Sequence, residues 1–174
     1  MSGHSKWSQI KHKKGLSDQK RGQVFSKLAK KISIIAKKGV DPSSNYQLQS
    51  AINEARAVNM PKDNIDRAIK RAIDKDVVAF NEVIIQAMGP SGIAIIIESI
   101  TDSPNRTVSE IRNILTKNDI KVVPESSLNW MFDSEKNPIA PLDASPETLA
   151  KLDNVFQELD SNDDVENVYT NLND

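Results

Sequence analysis

The chain has 174 residues, which is enough for one domain or two small ones with a buried core. Hydrophobic residues make up 38% of it and charged residues 27%, and no apolar run reaches the roughly eighteen residues of a transmembrane helix. The lack of cysteine excludes a disulfide framework, a cysteine-based zinc site and a thiol nucleophile, and two histidines are too few for a metal site. We therefore expect no catalytic residue, metal, cofactor or small-molecule substrate.

The N-terminus is polar and basic, with no apolar stretch behind it, so it is not expected to be a secretory signal. The lack of cysteine fits a reducing compartment. We predict a cytoplasmic protein that acts as a monomer and has no membrane partner.

The charge is divided unevenly between the two halves of the chain. Residues 1–75 carry 17 Lys and Arg against 6 Asp and Glu, whereas residues 76–174 carry 6 against 18. Such asymmetry indicates a polyanionic partner for the basic half, although the two halves could instead neutralise each other across an internal interface. We expect an exposed basic half, because a small interface cannot pair so dense a block of cations.

The first 17 residues have no apolar periodicity and predict an extended basic arm. Trp7 is the aromatic residue of this arm. Its ring could stack on an exposed base, as aromatic side chains in basic segments do, or it could anchor the arm to the protein's own surface.

Residues 18–76 have the apolar spacing of three short amphipathic helices. The first is predicted to run from Asp18 to a C-cap at Gly39, the second over residues 45–58, and the third from Pro61, which suits a first helical position. Helices this short need each other for stability, so we predict a three-helix bundle.

Residues 77–174 predict an α/β domain and therefore an α+β fold overall. Residues 82–88 and 93–100 read as a hairpin, and Thr107–Glu110 as a capping box that opens a helix through about residue 118. Further strands are predicted over residues 120–123, 128–132 and 165–170, with a loop over 133–145 and a helix over 146–160. We expect an antiparallel sheet with both helices on one face.

Five motifs in collinear order resemble those of the YebC/PmpR/TACO1 family: Gly3–Trp7, Ile10–Lys13, Asn59–Ile65, Asn105–Thr107 and Asp163–Asn171. The resemblance implies a three-helix N-terminal domain, a central α/β domain completed by the C-terminal segment, and normally a third domain inserted between them. It also implies no known catalytic activity. Members are described as DNA-binding transcriptional regulators or as translation factors acting on the ribosome.

The chain departs from the pattern of this family in three places. The C-terminal helix follows Trp130–Phe132 almost at once, so residues 133–145 are predicted to be a shortened linker in place of the inserted domain. Asn45–Gln49 lacks two cations that relatives often carry at the start of the second helix. Asp119 and Ser126 stand near a turn that is glycine-rich in relatives, and we expect that turn to take a less strained path or to be rearranged.

The predicted function is that of a nucleic-acid-binding regulator of gene expression, with promoter DNA or ribosomal RNA as the partner. Lysine side chains suit contacts to phosphates more than reading of bases. Arg106 is expected just before a capped helix, where it could clamp a phosphate or form a surface ion pair. The predicted contact residues are Lys6, Trp7, Lys11, His12, Lys13, Lys14, Lys20, Arg21, Lys27, Lys30, Lys31, Lys62, Arg67 and Arg106.

Two alternatives to a DNA-binding regulator stay open. A translation factor of the same family would bind the ribosome to relieve stalling, and a protein-interaction module would dock an acidic partner. An enzyme is not expected, because the sequence has no nucleophile paired with a base and no phosphate loop. Asp163 and Asp164 read as a turn before the last strand rather than as a metal or acid–base pair.

Overall fold

The structure, a computed structural model, describes residues 18–173. These residues fall into two compact units. The helical unit comprises residues 18–82 together with residues 100–104, and the sheet unit comprises residues 83–99 and 105–173. None of the helices in the described part of the chain is long and apolar enough to cross a membrane.

The helical unit contains helices α1 (Asp18–Ala36), α2 (Tyr46–Ala57) and α3 (Lys62–Arg71), which confirms the predicted three-helix bundle. Helix α1 packs against both α2 and α3. The shared core comes from one apolar stripe on each helix, and its buried members include Leu28, Ile32, Leu48, Ile52 and Ile65. Because these positions recur every three or four residues, the charged side chains between them face away from the core.

Asn45 joins the end of α1 to the start of α2. Its Oδ1 accepts a hydrogen bond from the Leu48 N–H at 3.1 Å, which is the N-cap contact of α2. Its Nδ2 donates to the carbonyl oxygens of Gly39 at 2.8 Å and Ile35 at 3.2 Å. One side chain thus satisfies groups at two helix ends and sets the turn between them.

The sheet unit confirms the predicted α+β fold, with an antiparallel four-stranded sheet in the order β3-β1-β2-β4. Its elements are β1 (Asn81–Met88), β2 (Ala94–Thr101), α4 (Pro104–Lys117), β3 (Lys121–Val123), α5 (Pro146–Asp160) and β4 (Val165–Thr170). Helices α4 and α5 share one core with the sheet residues Ile95 and Ile97, so both cover the same face. Ala94 and Ile96 point to the other face, where they pack against Leu128 and Phe132.

The predicted capping box at Thr107–Glu110 is wrong, because α4 begins three residues earlier, at Pro104. Proline fits the first turn of a helix, which explains the earlier start. Thr107 lies inside the helix, fully buried, and its hydroxyl donates to Asp164 Oδ2 at 2.7 Å. Asp164 lies in the turn predicted before the last strand, is 5% exposed, and also accepts a hydrogen bond from Arg106 Nη2 at 2.7 Å.

The predicted strand at residues 128–132 is also wrong, because Asn129–Met131 form a single 3-10 turn. The cause is the buried side chain of Gln86 on β1. Its Oε1 accepts from the Leu128 N–H at 2.8 Å, and its Nε2 donates to Asn129 Oδ1 at 2.7 Å. With Gln86 only 2% exposed, these two bonds satisfy its amide and hold the turn against the sheet.

Of the two outcomes expected for the glycine-poor turn, a less strained path or a rearrangement, the less strained path is not found. Asp119 and Ser126 adopt left-handed backbone conformations themselves, with φ of 57° and 68°. After α4, the Ile120 N–H donates to the Leu115 carbonyl at 3.0 Å, which is the helix ending that glycine usually provides. Aspartate is among the few residues that tolerate this conformation, so Asp119 adopts it at a modest cost.

Replacing Asp164 by alanine should lower the free energy of unfolding by about 2–3 kcal/mol, because it leaves the buried Thr107 hydroxyl and the Arg106 guanidinium without their shared acceptor. Urea denaturation followed by circular dichroism measures this loss. Glu158→Ala, at an exposed position of α5, is the control and should stay within about 0.5 kcal/mol of the wild type. Equal effects of the two changes would contradict the anchoring role of Asp164.

Candidate nucleic-acid interface

The predicted contact residues divide into three groups in the structure. Six of them, Lys6, Trp7, Lys11, His12, Lys13 and Lys14, lie outside the described residues. Seven belong to the helical unit: Lys20, Arg21, Lys27, Lys30, Lys31, Lys62 and Arg67. The last, Arg106, belongs to the sheet unit.

A groove of about 690 Å³ runs along the helical unit between α1 and the segment from Met60 to Phe80. The wall formed by α1 is low, because the small residues Gly22 and Ser26 recur there one turn apart. A Cβ atom added to Gly22 would meet no atom within 4 Å. Small residues on α1 therefore leave this side of the helical unit open.

Four cationic side chains line the groove. Lys30 comes from α1, and Arg67, Lys70 and Arg71 come from α3. Asp74 is the acidic residue among the lining side chains. The bundle thus gathers a net charge of +3 around one groove, drawn from two helices that are far apart in sequence.

Lys70 and Arg71 were not among the predicted contact residues, although the sequence held a signal for them. They follow Arg67 at spacings of three and four, which places all three side chains on neighbouring positions of one helix face. What the sequence could not supply is that Lys30 of α1 faces the same groove, because that depends on how α1 packs on α3.

Arg67 is positioned by its own helix. Its Nη2 donates to Asn64 Oδ1, and its Nε donates to the Asp63 carbonyl oxygen at 3.3 Å. Arg67 stays exposed, so these contacts orient its guanidinium without burying it. A guanidinium held in this way loses less conformational freedom when it pairs with an anion.

Phe80 closes one end of the groove and is held by two cations. The Arg71 guanidinium lies 4.2 Å from the centroid of the Phe80 ring, and its Nη2 donates to the Val78 carbonyl at 3.2 Å. Lys37 Nζ donates to the Phe80 carbonyl at 2.5 Å. These contacts fix residues 78–80 against the helices, so this wall of the groove is structured.

Other predicted cations point elsewhere or have close partners. Lys31 Nζ pairs with Glu54 of α2 at 2.6 Å, on the side of α1 that faces α2. Arg106 pairs with Asp164 at 2.7 Å, so a phosphate would have to compete with a buried carboxylate for it. Lys62 is exposed at the start of α3, and Lys20 and Arg21 are exposed on the first turn of α1.

Three titratable groups outside the groove have shifted pKa values, and one of them is Asp133, whose pKa is held below its ordinary value by hydrogen bonds from the side chain and backbone of Asn137. The backbone N–H and hydroxyl of Ser43 hold the pKa of Asp41 below its ordinary value. Burial, followed by the nearby Glu98 carboxylate, raises the pKa of Tyr169 well above its ordinary value. Within residues 18–173, no group of three or more His, Asp and Glu is placed to hold a metal ion.

Two family models match this chain. Residues 5–75 match the model described as the TACO1/YebC protein N-terminal domain, and residues 80–137 match that of the TACO1/YebC second and third domain. The first of these matches contains α1, α2 and α3 and most of the residues that line the groove, but not Val77 and Phe80.

Curated relatives carry the name "Probable transcriptional regulatory protein". One from Trichlorobacter lovleyi is 48% identical over 137 residues, which cover 78% of this chain and 56% of the relative. One from Chlorobium chlorochromatii is 45% identical over 179 aligned residues, covering 100% of this chain and 71% of the relative. The chain thus spans little more than half the length of the first of these relatives.

A solved structure has a similar fold. The crystal structure of a conserved hypothetical protein from Aquifex aeolicus matches this chain with a TM-score of 0.88 and 26% identity, and the match covers 97% of each chain.

Replacing Phe80 by leucine should lower the free energy of unfolding by about 1–2 kcal/mol, because it removes the ring beneath the Arg71 guanidinium and part of a buried side chain. Urea denaturation measures the change. Lys70→Gln removes an exposed charge one residue from Arg71 and should cost less than about 0.5 kcal/mol. A Phe80→Leu protein as stable as the wild type would show that this ring does not hold the end of the groove.

Proposed function

Because the chain belongs to the TACO1/YebC family, we propose that it is a regulator of gene expression that binds nucleic acid through its helical unit. The names of its curated relatives support a regulatory role. The first candidate is a transcriptional regulator that binds DNA.

The observation that carries the proposal is the cluster of Lys30, Arg67, Lys70 and Arg71 around the groove. Cations on two sides of a concave surface can neutralise successive phosphates of one backbone and release the counterions that those phosphates had condensed. Exposed lysine and arginine side chains position a backbone without reading its sequence, so the groove by itself provides general affinity.

The basic arm supplies further cations in this proposal. Lys6, Lys11, Lys13 and Lys14 add four cations and no acid to the half of the chain that contains the groove. Trp7 and His12 supply rings that could contact bases. Lys20 and Arg21, which are exposed at the start of α1, add two more cations to the helical unit.

A translational role through ribosomal RNA is the second candidate, and one feature of the groove favours it. The cations surround a concave surface, whereas reading of duplex DNA in the major groove normally requires a helix that protrudes into it. RNA offers unpaired loops and bulges that can enter a concave site. An acidic protein partner would contact the same cations. A competition experiment distinguishes the two kinds of partner, because it measures whether nucleic acid displaces the protein.

The proposal is tested by replacing two exposed groove cations, Arg67→Gln and Lys70→Gln, in one variant. Binding to a 20-base-pair duplex and to a ribosomal RNA fragment is measured by fluorescence anisotropy at several salt concentrations. If each cation contacts one phosphate, the slope of log K against log [salt] should become shallower by about 1.5–2, and the affinity should fall at least tenfold at low salt.

A matched control carries Lys121→Gln and Lys151→Gln, two exposed lysines of the sheet unit. It has the same net charge as the groove variant and should bind like the wild type. Equal binding by the groove variant, the control and the wild type would contradict the proposal. Sucrose-gradient sedimentation of cell extracts then separates the two candidates, because ribosome association favours translation and recovered promoter fragments favour transcription.

A further inference from the structure

We infer that the groove of the helical unit is a site for an unpaired nucleotide. The base lies on the floor of the groove, formed by Phe25, Ala29 and Met60. The phosphates lie against its cationic rim, formed by Arg67 and Lys70. This inference rests on the proposed function and goes beyond it, because it names the single-stranded form as the one the groove recognises.

The floor of the groove is mainly apolar and contains an aromatic ring, and the hydroxyl of Ser33, which also lines the groove, donates to the Ala68 carbonyl oxygen. Phe25 and Ala29 of α1 face the groove from one side, and Met60 faces it from the turn before α3. Phe25 and Ala29 are half-buried, so both keep surface toward the groove. A site for phosphate alone would need only cations. An apolar floor with an aromatic ring therefore indicates a ligand that has a flat apolar group as well as a negative charge.

The size of the groove agrees with one nucleotide. Its volume of about 690 Å³ falls within the range of roughly 300–1,000 Å³ that small-molecule sites have. In a duplex both faces of each base are covered by neighbouring base pairs, so only an unpaired base can place a face against Phe25.

Polar groups of the groove fit the remaining parts of such a ligand. Arg67 and Lys70 are exposed at the rim and suit phosphate oxygens. Asn64 uses its Oδ1 to accept from Arg67, which leaves its amide nitrogen as a donor for the edge of a base. The Nε–H of Arg71 is buried and, within the described part of the chain, has no hydrogen-bond acceptor.

The charge of the groove favours an anion as its occupant. A lysine-rich segment without acidic residues would be repelled by the cationic rim. The same rim disfavours the basic half of a second copy. An anion with a planar apolar group satisfies both the rim and the floor.

Gly22 provides a test that leaves every charge in place. It lies inside α1, where a larger side chain is free of backbone strain and would project into the open groove. We expect Gly22→Leu to weaken binding of the full chain to a 12-nucleotide oligouridylate about tenfold, the loss of roughly one base–aromatic contact. Binding to a 20-base-pair duplex should stay within about twofold. Gly22→Ala is the matched control and should bind both ligands like the wild type.

The methionine methyl groups give a second readout that does not depend on affinity. Met60 lines the groove, whereas Met88 and Met131 belong to the sheet unit. Adding oligouridylate to protein carrying ¹³C-labelled methionine should shift the Met60 methyl resonance and leave those of Met88 and Met131 in place. The Gly22→Leu protein should show no such shift. It should melt at or above the wild-type Tm, because glycine weakens a helix interior, so the missing shift would not be due to unfolding.

The outcomes separate this inference from the function on which it rests. If Gly22→Leu binds oligouridylate as tightly as Gly22→Ala, or if the Met60 resonance does not move at saturation, the groove is not a nucleotide site. In that case the Arg67→Gln and Lys70→Gln variant can still lose affinity for both ligands, which would preserve nucleic-acid binding by the rim. If that variant also binds like the wild type, the proposed function fails as well.

Discussion

The packing of one helix against two others is the constraint on which the candidate site depends. Helix α1 uses a single apolar stripe, with Leu28 and Ile32 at its centre, to contact both α2 and α3. Because the apolar stripe occupies one face of α1, the cations of α1 lie on the two sides of that face. One side is next to α2 and the other is next to α3. The side on which a cation lies therefore determines which residues it contacts. The groove lies on the side next to α3.

The neighbouring residues Lys30 and Lys31 illustrate this division. Successive residues of an α-helix are rotated by about 100°, so the two side chains leave α1 on different sides of the stripe. Lys31 reaches Glu54 of α2, and the pair neutralises both charges. Lys30 lines the groove together with Arg67 and Lys70 of α3. The sequence alone predicts the same role for both lysines. In the packed bundle, Lys30 belongs to the cationic cluster of the groove and Lys31 does not.

The sheet unit departs from its predicted form at places where a buried polar side chain forms hydrogen bonds to residues distant in sequence. Gln86 holds residues 128 and 129 in a 3-10 turn that reads as a strand from its apolar residues alone. Asp164 accepts a hydrogen bond from Thr107 in the interior of α4, although the residues after Thr107 resemble a helix start. Asn171, fully buried, similarly accepts from the Ala94 N–H at 2.8 Å. Each contact joins residues at least 42 positions apart, which local patterns cannot reveal.

The sequence by itself determined the three helices of the bundle, the hairpin, the last helix and the last strand, because apolar periodicity and turn residues act within a few positions of each other. It also determined the basic character of the first half, since charge is a property of composition. Only the tertiary structure decided which cations share a groove, that its floor is apolar, and that Arg106 already has a carboxylate partner. These features depend on contacts between distant segments, and the low wall at Gly22 matters only once α1 lies beside α3.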